Sequence, residues 1–323
     1  MTPGSCLPNG SVVAQFEASG TVLFCRRAGA GRNAVGRLTG HADLLTAMIK
    51  AVAMPAETGH RSVCWRPDGD RTLWSVVVAV PVVEELGERL AALGWVRGLC
   101  VAGSLATGDY ISGVSDLDLV AFTDGVVGSV RQAALAALHR DLDAGAGFGL
   151  KLGCVYVDAA RVADPRLEHP TWTHGLLVQR ILSGVTRAEL VRHGFAVFGR
   201  PPREVLPMMS DDDVREAARA ELTGYWSWAV RRPWIWLDPM IAELGLTSMA
   251  RGRYALGKGD LLTKSEAVEQ ADAPAWLIGR LRAKRRGGDV ALPRLRTAVI
   301  AWRDARRTVS SARPGRRSER PLP

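Results

Sequence analysis

The sequence predicts an α/β unit followed by an all-helical region. Short apolar runs at Leu99–Ala102, Leu117–Phe122 and Cys154–Val157 read as strands. Helical stripes at Val83, Leu86, Leu90 and Leu93, and at Val130, Ala134, Leu138 and Leu142, interleave with them, and strands alternating with helices build α/β units. After Pro207 the texture changes: no strand is expected beyond Val197–Phe198, and only helix starts remain.

Each element has a local reason. Gly94 stands where the first stripe must end. Asp211, Asp212 and Asp213 suit a helix N-terminus. Ser265 before Glu266, and Pro293 before Leu295, Val299 and Trp302, read as further helix starts. Residues 1–74 form an N-terminal extension of uncertain structure, with one short helix on Leu44, Leu45, Met48, Ile49 and Val52 and a strand or two. The expected units are then an α/β domain over 75–205, a helical domain over 206–312 and a basic tail over 313–323.

Composition narrows the classes. With 323 residues, 47% hydrophobic and 23% charged, the chain has a globular balance rather than a disordered one. No apolar run approaches the ~20 residues that span a bilayer, and Met1–Asn9 lacks the order of a signal peptide. Five cysteines are scattered without a CxxC pair, against a disulfide scaffold or clustered zinc; the cytoplasm is the expected location. The net charge of +9 is local: residues 280–323 carry +11, leaving −2 on the rest. Such an end is usually a solvated tail, so neither nucleic acid nor membrane is the expected partner.

The informative stretch is Val101-Ala102-Gly103-Ser104, eleven residues, then Asp116-Leu117-Asp118-Leu119-Val120. A strand ending at Gly-Ser lets backbone N–H groups and a hydroxyl approach a polyphosphate, because glycine has no side chain to hold the anion off. Alternation along a strand puts Asp116 and Asp118 on one face, with Leu117 and Leu119 on the other. Two carboxylates beside that turn suit a hard divalent cation such as Mg²⁺, which bridges carboxylates to phosphate oxygens. Gly-Ser alone is commonplace, and Asp-x-Asp alone is usually a solvated strand end. The reading rests on their order, spacing and flanking strands together.

These residues resemble the signature of the nucleotidyltransferase superfamily that includes DNA polymerase beta. Leu246–Tyr254, Gly257-Lys258-Gly259 and Thr263-Lys264-Ser265-Glu266-Ala267 resemble the helical domain of aminoglycoside adenylyltransferases of the streptomycin/spectinomycin type, as do Phe198–Pro202 and Glu204–Pro207 between the blocks. The similarity covers roughly residues 80–310. It implies a nucleotidyltransferase domain with a mixed sheet, then a helical bundle, with nucleotide and acceptor in the cleft between. The implied reaction moves AMP from ATP to a hydroxyl of an aminoglycoside-like, cationic acceptor. Asp116 and Asp118 would hold Mg²⁺, and Gly103 and Ser104 would seat the β- and γ-phosphates. Other acceptors, a metabolite or a protein, and a non-catalytic nucleotide-binding module are the alternatives.

The resemblance also implies a third carboxylate near the start of the following strand, as general base or extra metal ligand. Here Lys151–Asp158 begins without an acid. Asp158 at its far end is the nearest substitute, and a cap after the strand is its preferred reading. Lys258, Lys284 and Arg285 are candidate phosphate contacts, each more often solvated. Glu266 and Glu269, three apart on a presumed helix, share a face and are the chosen acids for a cationic acceptor. Tyr225–Trp228 and Trp234–Trp236 read as the seam between domains rather than as a stacking wall. His169 and His174 read as loop residues.

Overall fold

The computed structural model describes residues 12–16, 21–28, 32–39 and 71–313, with side chains from 81 to 313. Near the N-terminus, β1 (Val12–Phe16), β2 (Thr21–Ala28) and β3 (Arg32–Thr39) form an antiparallel three-stranded sheet. The expected helix at Leu44–Val52 lies outside the described residues, as do residues 314–323 of the basic tail.

A 22-residue helix, α1 (Arg71–Ala92), starts earlier than its apolar stripe indicated and stops before Gly94, whose φ of +74° favours glycine. It leads into β4 (Val96–Val101), a one-turn helix α2 (Gly103–Ala106), β5 (Leu117–Thr123), α3 (Ser129–Ala144) and β6 (Leu152–Asp158). After these come β7 (Glu168–Thr173), β8 (Leu176–Ile181), α4 (Gly184–His193), β9 (Phe195–Phe198) and α5 (Pro202–Val205). The six strands order as β8-β7-β6-β5-β4-β9. Only β5 and β6 run parallel, so the sheet is mixed.

Strand alternation sorts the core into two layers. Leu99, Val101, Leu117, Leu119, Ala121, Cys154 and Tyr156 pack with Leu86, Leu90, Leu135 and Leu142 of α1 and α3. Cys100, Val120, Phe122 and Val157 face the other way and pack with Leu190 of α4. The α3 stripe is corrected in detail: its buried residues are Leu135, His139 and Leu142, while Val130 is 83% exposed.

From Asp211 the chain is helical: α6 (Asp211–Glu221), a π-helical turn at Leu222–Trp226, α7 (Ser227–Val230), α8 (Pro239–Lys258), α9 (Lys264–Glu269), α10 (Ala275–Arg285) and α11 (Arg294–Ala312). Ser210 and Asp213 close a capping box on α6. Helix α9 begins one residue before Ser265, capped by Thr263. Trp226 and Trp236 belong to this region's own core, with Leu246, Met249, Leu277 and Ala301. That corrects the seam reading for those two; Tyr225, Trp228 and Trp234 are exposed. The β7–β8 hairpin is a second correction, since His169 lies buried in β7 rather than in a loop. None of the described helices is long and apolar enough to cross a membrane.

Candidate active site

The site grows from the end of β4. The Ala102 N–H donates to the Asp118 carbonyl at 2.8 Å, and Gly103 then turns the chain into α2 at φ +58°. Because Val101 pairs with Leu119, the next residue along, Asp118, arrives against that turn. A Cβ on residue 103 would lie 2.2 Å from Asp118 Oδ2. Glycine is thus required twice, by its backbone angle and by the carboxylate pressed onto it. Asp118 shares its face of β5 with Val120 and Phe122, the side covered by α4. Ser104 is buried, and its Oγ has no partner among the described residues. Asp116, just before β5, is exposed, and its charge acts on both Asp118 and buried Tyr110. Gly103, Ser104, Asp116 and Asp118 therefore stand together.

Burial pushes the Asp118 carboxyl up to about 6, the nearby Lys264 ammonium opposes the shift, Asp116 and Glu189 add to it, and Arg251 opposes it. Lys264, Arg251 and Glu189 were not chosen from the sequence. Lys264 did leave a signal: it opens α9, where the helix dipole disfavours a cation. Arg251 on α8 forms an ion pair with Glu189 on α4, and its Nε donates to the Leu262 carbonyl at 3.0 Å. Glu221, at the end of α6, is exposed, yet its surroundings desolvate it and push its carboxyl upward; Arg251 opposes that shift and Glu189 adds to it.

The other chosen residues sit elsewhere. Arg285 reaches across from α10: its Nη1 donates to Ser115 Oγ at 2.9 Å and its Nη2 to Asp109 Oδ2 at 2.9 Å. The Ser265 N–H donates to the same Asp109 oxygen at 3.0 Å. Arg285 thereby fastens the loop between Ser104 and Asp116 to the helical region. Lys284 pairs with Glu243. Lys258 is exposed at the C-terminal end of α8. Glu266 closes a capping box on its own helix, and Glu269 pairs with Arg282.

Asp158 is not brought to the pair. In the parallel register Asp118 lies opposite Gly153 and Thr123 opposite Asp158. Asp158 is therefore five residues further on, ~16 Å at ~3.3 Å per residue, and its parity places it on the opposite face. Its carboxylate accepts from the Ala160 N–H at 3.1 Å, the cap that the sequence favoured.

Asp116 and Asp118 fit a hard cation. Among the described residues no group of three or more His, Cys, Asp or Glu is placed to hold a metal. The protein offers two carboxylates, and phosphate oxygens and water would complete the shell, as is usual for Mg²⁺. The costly charge on Asp118 and the unpartnered Ser104 hydroxyl are what a metal-bound phosphate would satisfy.

No protein-family model and no curated protein sequence matches the chain. Among solved structures, the chain is similar to spectinomycin adenyltransferase AAD(9) from Enterococcus faecialis, crystallised with ATP and spectinomycin. The TM-score is 0.56 at 12% identity, covering 71% of this chain and 97% of that one. The E. coli MS115-1 CdnC:HORMA-deltaN complex gives a TM-score of 0.28 at 12% identity over 75% of this chain and 84% of that one, and carries no argument. At 12% identity the likeness is one of fold: a mixed-sheet α/β unit followed by helices, shared with that adenyltransferase.

Proposed function

We propose that this chain is a nucleotidyltransferase that moves AMP from ATP to a hydroxyl of a cationic, aminoglycoside-like molecule. The observation that carries the reading is the Asp118 carboxylate seated on the Gly103 turn, with Asp116 beside it. Asp116 and Asp118 would hold Mg²⁺, which when bound supplies positive charge to the triphosphate. The Gly103–Ser104 turn offers its backbone and the free hydroxyl to the phosphates. Lys264 and Arg251, whose charges act on Asp118, would add cations from the helical side. The acceptor oxygen attacks the α-phosphorus in line and pyrophosphate leaves. Positioning and electrostatics supply most of the acceleration in such transfers.

A cationic acceptor needs acid, and Glu221 is an exposed carboxylate on which the Arg251 charge acts. AAD(9) was crystallised with ATP and spectinomycin together, which supports a nucleotide and a small acceptor as the pair to try first. The test is pyrophosphate release with ATP and Mg²⁺ across an aminoglycoside panel, comparing the parent with Asp116→Asn/Asp118→Asn. Turnover by the parent alone is expected.

One observation favours a second reading. Gly153 stands opposite Asp118 where a third acid would come from β6. A non-catalytic nucleotide-binding module would bind ATP tightly and release no pyrophosphate with any acceptor.

A further inference from the structure

The strand beside the aspartate pair brings no acid, but a helix does. β6 presents Gly153 at the level of Asp118, on the face shared by Val155 and Val157. That is the face covered by α4, which also packs against the α2 turn. Leu190 of α4 lies in one cluster with Val120 and Phe122, the residues that follow Asp118 on its side of β5. The residue before Leu190 is Glu189. Its side chain is 15% exposed and ion-paired with Arg251, and its charge is felt at Asp118.

We propose that Glu189 is the third carboxylate of this site, delivered from α4 instead of β6, and that it acts as the general base. The proposal rests on the reading of the chain as a nucleotidyltransferase. Glu189 takes the proton of the acceptor hydroxyl as that oxygen bonds to the α-phosphorus of ATP. The bond from the α-phosphorus to the bridging oxygen breaks, and pyrophosphate departs with that electron pair. The proton then passes from Glu189 to water. Before nucleotide arrives, Arg251 holds the carboxylate in place. A triphosphate gives Arg251 a second anion and leaves a Glu189 oxygen for the acceptor.

The experiment compares the parent, Glu189→Gln, Glu189→Asp and Glu189→Gln/Gly153→Glu, each shown to melt cooperatively. AMP transfer from ATP and Mg²⁺ to spectinomycin, streptomycin or water is read beside ATP affinity by calorimetry. Expected is a kcat ~10²–10⁴-fold lower for Glu189→Gln, with ATP affinity within ~3-fold of the parent because the lost group acts in the chemical step. Gly153→Glu should return part of that rate. A Cβ at 153 meets only the Leu117 and Trp172 carbonyls at 3.7 and 3.8 Å, ordinary contact, and it points to Asp118's face. If Glu189→Gln does not fold, Glu189→Asp, which withdraws the carboxylate by one methylene, carries the same comparison. Unchanged kcat, or ATP affinity lost in step with rate and no rescue from position 153, overturns the proposal and makes Glu189 a mere orienter of Arg251. A parent that binds ATP yet transfers AMP to none of the three acceptors overturns the function itself, and the base falls with it.

Discussion

Gly103 and Asp118 claim the same space: the point where a Cβ would stand on residue 103 is 2.2 Å from Asp118 Oδ2. The Gly103–Ser104 turn and the Asp118 carboxylate are therefore one mechanical unit. Gly103→Ala should displace the carboxylate and also meet the left-handed penalty at φ +58°, ~1–2 kcal/mol for a residue with a side chain. ATP affinity measured by calorimetry should fall at least ~10-fold, the equivalent of ~1.4 kcal/mol. Full affinity in a stably folded variant would uncouple the turn from the acid.

Asp118 also sets a pH dependence. Its folded carboxyl, raised to about 6 chiefly by burial, lies above its ordinary value of 3.8. A raised group stabilises the fold fully below the ordinary value, and that contribution is lost as pH rises through about 6. In EDTA, Asp118→Asn should match the parent near pH 3.5 and exceed it at pH 7.5, by ~1 kcal/mol once solvent screening is allowed for. Mg²⁺ at pH 7.5 should raise the parent's melting temperature and leave that of Asp118→Asn where it was. Melts in the two media decide both points.

Much of the site was legible because it is local. The Gly-Ser turn, the spacing and the Asp-x-Asp strand lie within residues 101–120, and alternation alone sends Leu117 and Leu119 into the core. What stayed hidden depends on distance along the chain. Glu189 and Arg251 are 62 residues apart, and Asp109 and Arg285 are 176 apart, so no local pattern records either pair. The β7–β8 hairpin was missed because Pro170 and polar Glu168, His169, Thr171 and Thr173 break the strand signature. The fold tolerates that proline because only Thr171 and Trp172 of β7 pair with β6. On α3, several apolar residues per turn left the choice of face to tertiary packing, which took Leu135 and His139 in place of Val130 and Ala134.

His139 should give the opposite slope to Asp118. It is fully buried, stacked on Trp172 at 4.9 Å, with Nε2 2.6 Å from the Tyr156 hydroxyl. Burial lowers its pKa from 6.5 to about 3. A histidine kept neutral by the fold contributes stability above 6.5, which is lost as pH falls toward 3. The loss from this group approaches ~1.4 kcal/mol per pH unit. Urea unfolding between pH 7 and 4 should show this slope in the parent and not in His139→Gln. An equal slope in both would assign the acid sensitivity elsewhere.

The Asp109–Arg285 pair makes the last prediction, because it would join stability to the proposed transfer. Both side chains are nearly buried, at 11% and 10% exposure, and removing one partner of a buried pair typically costs ~3–5 kcal/mol. Arg285→Ala should lie toward the lower end, since Asp109 keeps Ser265 as a donor. Arg285→Lys should recover little of it, because one ammonium cannot copy a guanidinium fork shared between Asp109 and Ser115. The loop so fastened ends at Asp116, so KM for ATP should rise in both variants at temperatures where each remains folded. A double-mutant cycle with Asp109→Asn should give a coupling above ~1 kcal/mol. Additive effects, or normal KM beside a large loss of stability, would make the pair a fastener of the two regions with no hold on the loop that ends at Asp116.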